Sequence, residues 1–334
     1  MEISYDQVNP FPIAQDKFLF FDIFHKNNDL YLICPVYTFD MTEIENRINS
    51  ISIKSEDKEL EIKLKIYKIT YEPTLILIYN FNSQETINKI TVKYNNLTNI
   101  YKLCHRQTTK NNYLAVTTLF KEDYKSIDIF YDYYEKHGYD HYFMYYNGKL
   151  TDEIKTLYNK PNITLIEWDF PYWNEDGWTT SIQHHAQLGQ MHNAIYKYGK
   201  NEFEYMAFHD LDEYLYLPNK IRIKDFIYES NLVFYGFLNI FSNTVDSSGN
   251  TIIPNKMPNQ ILVDKIAWPF CKCSKVIYKV DRIATIGIHN PREFVDSEEI
   301  SYNASSVMFH MQSWSGRTRK EIVFNPITIE LIDE

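Results

Sequence analysis

Glycine is scarce in this chain, 9 of 334 residues, against an average of about 7 %. Asn, Ile, Lys and Tyr are correspondingly abundant, the bias that A+T-rich coding produces. Cysteine is also rare: Cys34, Cys104, Cys271 and Cys273. With a single close pair among four, they form neither a disulfide framework nor a zinc site, and a reducing cytoplasm is the expected setting. An excess of positive charge is missing too. Lys+Arg number 34 against 44 Asp+Glu, a formal charge of −10, which argues against a basic nucleic-acid-binding surface. The longest apolar stretches, such as residues 30–37 and 74–79, fall well short of the about 18 residues a membrane span needs. The chain opens on Met1, Glu2, Ile3, Ser4, Tyr5 and Asp6, with no basic-then-apolar leader. A cytoplasmic protein without a membrane span is the expectation.

What is present is ordinary globular composition, 44 % hydrophobic and 23 % charged, in a chain long enough for about two domains. Aromatic residues make up 16 %, most of them expected in the core or half-buried. Up to residue 108 the pattern reads as short strands. Charged and apolar residues alternate over 61–66 and again over 90–94, the period of a half-buried strand, and 18–24, 30–37 and 75–81 are further strand candidates. Polar punctuation between them and little helix predict a small antiparallel β-sandwich-like accessory domain over 1–108. No catalytic constellation is evident there.

From 109 to 334 strands alternate with helices. Residues 113–120 read as a strand, followed by Ile127, Phe130, Tyr131 and Tyr134 on one helical face that ends at Gly138. A second strand spans 141–146, a short helix 152–158, and a third strand 163–168. After a loop rich in Trp, Asn and Asp, Ser181 is placed to cap a long helix to Tyr198, with Leu188, Met191 and Ile195 on one face. A fourth strand covers 203–208. This alternation predicts an α/β domain with a mostly parallel, Rossmann-like sheet, whose ligands bind beyond the carboxyl ends of the strands.

At the end of the fourth strand stand His209, Asp210, Leu211, Asp212 and Glu213. An i, i+2 spacing in an extended segment turns both aspartates to one side. Two hard oxygen ligands with open positions suit Mn²⁺ or Mg²⁺ bridging to phosphate oxygens, where the ion would neutralise a departing diphosphate. Other residues extend the pattern. They are Lys121, Glu122 and Asp123, then Tyr133, Tyr134, Gly138, Tyr139, Asp140 and His141. Asn147, Gly148 and Asp152 follow, with Gln187, His192, Asn193 and Ala194 before the acidic strand. Lys275, Ile277 and His289 come after it, and His310, Gln312 and Ser313 close the series. In that order they resemble a glycosyltransferase of the GT-A fold, of family 92 and its family 2-like relatives, over about 60 % of the chain. Tyr146 stands where that family often has Asp, and Met311 where Tyr is usual.

The resemblance implies an enzyme that moves a sugar from a nucleotide-sugar donor, best matched by a UDP-sugar, to a glycan or other hydroxyl acceptor with inversion. In that reading Asp210, Asp212 and one of two histidines, His289 or His310, hold the metal. Lys121, Glu122, Asn147, Gln187, Asn193, Glu213, Lys275, His310 and Arg317 contact donor or acceptor, with Arg319 and Lys320 beside Arg317. Asp264 or Asp246 is the general base, and Trp173 and Trp178 stack on sugar. Two alternatives are an inactive sugar-binding module of the same fold and a haloacid-dehalogenase-like phosphatase with Asp210 as nucleophile.

Overall fold

The computed structural model describes residues 4–68, 73–81, 87–107, 111–173, 186–264, 275–295, 301–312, 314 and 324–332. The alternating segments near the N-terminus are strands, Ile62–Lys68 and Ile87–Tyr94. They belong to an eight-stranded sheet ordered Lys58–Glu59, Ile51–Ser55, Ile87–Tyr94, Leu97–Arg106, Asp22–Lys26, Asp29–Cys34, Thr74–Asn80, Ile62–Lys68. Neighbours run antiparallel except at the middle, where only His105↔His25 and Arg106↔Lys26 pair, in parallel. This seam divides the sheet into two four-stranded halves. Leu30, Leu32, Leu75 and Leu77 from one half enclose a core with Ile53, Ile90, Val92 and Leu103 from the other. The alternate residues Ile33, Ile76 and Ile78 face outward and pack, with Phe21 and Phe24, on Trp168, Phe170, Met191 and Ile195 of the following region. Burial on both faces explains why residues 74–79 read as an unbroken apolar run.

One helix in this region was not expected. Met41–Asn49 begins at Asp40, whose carboxylate accepts the N–H groups of Thr42 and Glu43, and it buries Ile44 and Ile48 one turn apart. Those are an N-cap and an i, i+4 pair.

The larger sheet has eleven strands. Ser4–Asp6, Ile163–Glu167, His141–Tyr146, Asn112–Phe120 and Phe203–Phe208 are parallel neighbours in that order. Beyond Phe203–Phe208 the sheet turns antiparallel through Lys275–Lys279, Phe234–Asn243, Gln260–Asp264 and Phe324–Thr328. Ser301–Met311 runs parallel to Phe234–Asn243 and antiparallel to Glu213–Tyr216. The expected mostly parallel sheet is therefore corrected to a mixed one. Parallel neighbours need a crossover of a dozen or more residues. The four parallel strands from Asn112 onward have such crossovers, whereas the chain after Phe208 turns back within five residues. The first strand, Ser4–Asp6, edges this sheet rather than the N-terminal one.

The long helix is present as Ala186–Asn193, widening over Ala194–Gly199 to a π turn that ends with Lys200 N–H donating to the Ile195 carbonyl. Ser181 lies outside the described residues. Among the described residues no helix is long and apolar enough to cross a membrane.

Candidate active site at the acidic turn

Phe203–Phe208 sits between its parallel and antiparallel neighbours, so its carboxyl end opens where the two halves of the sheet diverge. The segment beyond it is not extended. Asp210 to Glu213 form a tight turn in which Glu213 N–H donates to the Asp210 carbonyl at 3.0 Å and Asp210 N–H donates to Glu213 Oε2 at 2.9 Å. Leu211 and Tyr214 anchor the turn in the core. The Tyr134 hydroxyl donates to the Glu213 carbonyl at 2.8 Å and accepts from Leu215 N–H at 3.1 Å. A rigid turn, rather than the pleat, places the two aspartates.

Each aspartate has a basic partner. Lys275 Nζ lies 2.7 Å from Asp210 Oδ2 and 3.2 Å from Glu213 Oε2, nearly without solvent contact. His310 Nε2 lies 3.3 Å from Asp212 Oδ2, and its Nδ1 lies 3.7 Å from Glu213 Oε1. The pairing Glu213↔His310 between adjacent strands puts these two side chains on one face. Asn239 completes the group, its Nδ2 at 3.4 Å from Glu213 Oε1 and 3.2 Å from His310 Nδ1. Gln187 Nε2 donates to Asp210 Oδ1 at 3.4 Å and its Oε1 accepts from the Tyr172 hydroxyl at 2.9 Å.

The electrostatics follow from this packing. Burial works against the charge on Asp210, but Lys275, and after it His310 and His289, hold its carboxyl below the ordinary range. Burial pushes Glu213 up to about 7, with Asp210 and Asp212 adding to the rise against Lys275. Asp123, in the loop after Asn112–Phe120, is likewise pushed up to about 7, first by burial and then by Asp212 and Asp210. His310 is raised because Asp212 and Glu213 outweigh its burial. Asp210, Asp212 and Glu213 thus share Lys275 and His310, and Glu213 is driven toward neutrality, as is Asp123 in the neighbouring loop.

That deficit of positive charge and the hard oxygen donors fit a divalent cation. Among the described residues no three His, Cys, Asp or Glu side chains converge as a ready ligand set. Mg²⁺-type sites use one or two carboxylates and complete the shell with phosphate and water, which is what Asp210 and Asp212 offer.

The other expected residues divide clearly. Gln187, Glu213, Lys275 and His310 meet at the turn, and His289 acts on Asp210 electrostatically. Lys121 and Glu122 are exposed, while Asp123 beside them is half-buried, its carboxylate accepting Lys121 N–H at 3.2 Å and raised in pKa by burial and then by Asp212 and Asp210. Asn147 is a latch, its Nδ2 donating to the Trp168 and Phe170 carbonyls at 2.9 and 2.8 Å. Asn193 binds Asp22 of the N-terminal region and the Tyr145 hydroxyl, both at 2.8 Å. Asp246 organises its own loop, accepting Ser248 and Asn250 N–H at 2.9 Å, and these bonds hold its pKa low, the reverse of what a base requires. Asp264 ends its strand, half-buried. Trp173 packs edge-on against Tyr172 at 4.7 Å. Arg317, Arg319, Lys320 and Trp178 lie outside the described residues. The sequence reading passed over Asn239, whose signal was a single amide in the apolar run 234–241.

Comparison with known proteins bears on the same region. The profile of glycosyltransferase family 92 matches residues 113–333. No curated protein matches the chain. Among solved structures, the mannosyltransferase Ktr4p from S. cerevisiae aligns with 14 % identity over 41 % of each chain at a TM-score of 0.26. The amylomaltase from Corynebacterium glutamicum aligns with 13 % identity over 39 % of this chain and 21 % of its own, at a TM-score of 0.16. The chain thus spans under half of either structure, and at those scores neither bears on the fold. The family match covers most of the mixed sheet, the acidic turn and both of its basic partners, and on it the chain belongs to glycosyltransferase family 92.

Proposed function

We propose that the chain is a metal-dependent transferase of the GT-A type that moves a sugar from a UDP-sugar to a glycan hydroxyl with inversion at the anomeric carbon. The observation that carries this reading is the acidic turn, where Asp210 and Asp212 are held by Lys275 and His310 at the carboxyl end of a central strand. Mn²⁺ or Mg²⁺ bound at Asp210 and Asp212 would neutralise charge on the leaving diphosphate. The protein's own groups do the rest. Lys275 fixes the Asp210 and Glu213 carboxyls, and Gln187 fixes the other Asp210 oxygen. His310, whose pKa is raised by Asp212 and Glu213 against its burial, stands beside the place of the diphosphate and adds positive charge there when protonated.

Asp264 is the better of the two general bases. The pairs Ser242↔Val263 and Asn243↔Leu262 extend to bring Asp264 level with Phe241, which is itself paired with His310. Asp264 therefore shares a row and a face with His310 at two strand spacings, about 10 Å. A sugar ring fits between them. As the acceptor oxygen bonds to the anomeric carbon, its proton passes to Asp264 and the bond to the diphosphate oxygen breaks with its electron pair.

Thermal unfolding with UDP, GDP or dTDP, each with and without Mn²⁺, tests the reading, because a ligand bound only by the folded chain raises the midpoint. A rise that needs UDP and Mn²⁺ together, and is lost in Asp212→Asn, is expected. No rise with any pair would sink the donor assignment and favour a sugar-binding module without turnover. We place its work in the cytoplasm, on a glycan under construction.

A further inference from the structure

Two buried amide oxygens, one on Asn239 against the His310 ring and one on Gln312 two residues along the chain, have no partner among the described residues. Asn239 is 6 % exposed and Gln312 5 % exposed, yet Asn239 Oδ1 and Gln312 Oε1 accept no hydrogen bond among the described residues. A buried acceptor left unmade costs about 1–3 kcal/mol, so such atoms mark places where a ligand or water donates. Side chains two apart on a strand share a face, which puts Asn239 and Phe241 together. The pairings Asn239↔Met308 and Phe241↔His310 align that face with the one carrying His310. Gln312 lies in the turn after that strand, where its N–H donates to the Ser242 carbonyl at 3.0 Å and holds it beside the residue that follows Phe241. The Phe241 ring, half-buried, lies 5.6 Å from the His310 ring on the face that carries Asn239.

An aromatic ring with hydrogen-bond acceptors near it has the chemistry to receive a hexose. The ring covers the C–H face, and the amide oxygens take the hydroxyl protons. We propose that Phe241, Asn239 and Gln312 form the subsite for the terminal sugar of the acceptor, with Phe241 as its stacking platform. The inference rests on the transferase reading above. It places the sugar between His310, on the diphosphate side, and Asp264, which must reach the attacking hydroxyl to within hydrogen-bond distance. The platform selects for a pyranose acceptor over a flexible hydroxyl such as a serine side chain.

Saturation-transfer NMR with p-nitrophenyl galactoside, glucoside, mannoside and fucoside tests the subsite without needing turnover. At least one hexoside should bind the wild-type protein, and Phe241→Ala should weaken it at least tenfold. Gln312→Leu, which keeps the shape and removes the acceptor, should weaken it several-fold. The UDP and Mn²⁺ thermal shift is measured on the same variants and should move by no more than a degree, showing an intact donor site. Failure of every hexoside to bind the wild-type chain, or equal binding to Phe241→Ala, would overturn the subsite. Loss of the nucleotide shift together with hexoside binding would assign Phe241 to the donor sugar instead. Absence of a nucleotide shift in the wild-type protein would count against the transferase reading and not against the sugar subsite.

Discussion

Lys275 is the residue on which the acidic turn most depends. Its ammonium group answers both Asp210 and Glu213, and those carboxyls raise its pKa against the cost of burial. Lys275→Met leaves the Glu213 carboxyl buried with its nearest cation removed. Breaking a buried pair this way costs about 3–5 kcal/mol, so a large fall in the denaturant midpoint is expected. Transfer activity should drop by about 10²–10³-fold, measured at a temperature where the variant is still folded. Retained activity would mean that Lys275 is only a structural counter-ion. Lys275, Gln187 and His310 follow from the order of motifs shared with family 92, since no periodicity singles them out. The sequence did not separate Glu122 from Asp123, because a loop gives adjacent carboxylates no periodicity, and only the fold brings the charge of Asp212 and Asp210 to bear on Asp123.

Strands and helices with a strong period were the most legible elements. Residues 141–146 and 203–208 are strands as expected, and the helix after residue 126 ends at His137, with Gly138 at φ +85°. The acidic turn was misread as extended because two residues between aspartate and glutamate carry no alternation to measure. The helix Met41–Asn49 was missed because only two of its residues are buried. Gly189 shows what an element gains from a missing side chain. A Cβ there would stand 2.5 Å from a ring carbon of Phe21 and 3.2 Å from Trp168, so the helix can lie directly on the N-terminal region only with glycine at this position. Gly189→Ala gains about 1 kcal/mol of helix propensity and loses about 1–3 kcal/mol to overpacking between two buried rings. A net loss near 1 kcal/mol is expected by urea denaturation. A stabilised variant would show that Phe21 can yield.

Across the whole molecule, the two regions are joined by charge as well as by apolar contact. Asp22, fully buried, receives Lys197 Nζ at 3.1 Å and Asn193 Nδ2 at 2.8 Å. Arg106 grips Glu202 with two bonds of 2.9 and 2.8 Å. Burial also keeps five histidines neutral. His25, His141 and His192 are pushed down to about 4, and His137 and His209 to about 3. Below pH 6.5 the unfolded chain binds protons at these sites that the folded chain does not, so stability falls on acidification by about 1.4 kcal/mol per pH unit per proton. Glu213 and Asp123, raised to about 7, act the other way. They hold protons in the folded state alone from about pH 7 down to their unfolded values near 4. They offset only two of the five histidine protons, and the three histidines held near 4 begin to take up their own protons below pH 5. Stability should therefore fall between pH 6.5 and 4.5 with the net of about three protons, about 4 kcal/mol per pH unit. Denaturant midpoints across that range, with calorimetric proton uptake, test this. A flat profile between pH 6.5 and 5 would contradict it.

By itself the sequence determined the alternation of strands and helices after residue 109, the strand-rich first hundred residues and the acidic motif at a strand end. Each is written in local spacing, which hydrophobic burial converts directly into periodicity. Tertiary structure alone decided that the sheet reverses direction after Phe208 and that Ser4–Asp6 edges the second sheet. It also decided that Asn193 serves the interface, and that Asn239, Phe241, His310 and Asp264 stand on the same face of the sheet. Those outcomes depend on contacts between segments as much as 171 residues apart, where pairing energy is shared across many contacts and leaves no mark on any single stretch of chain.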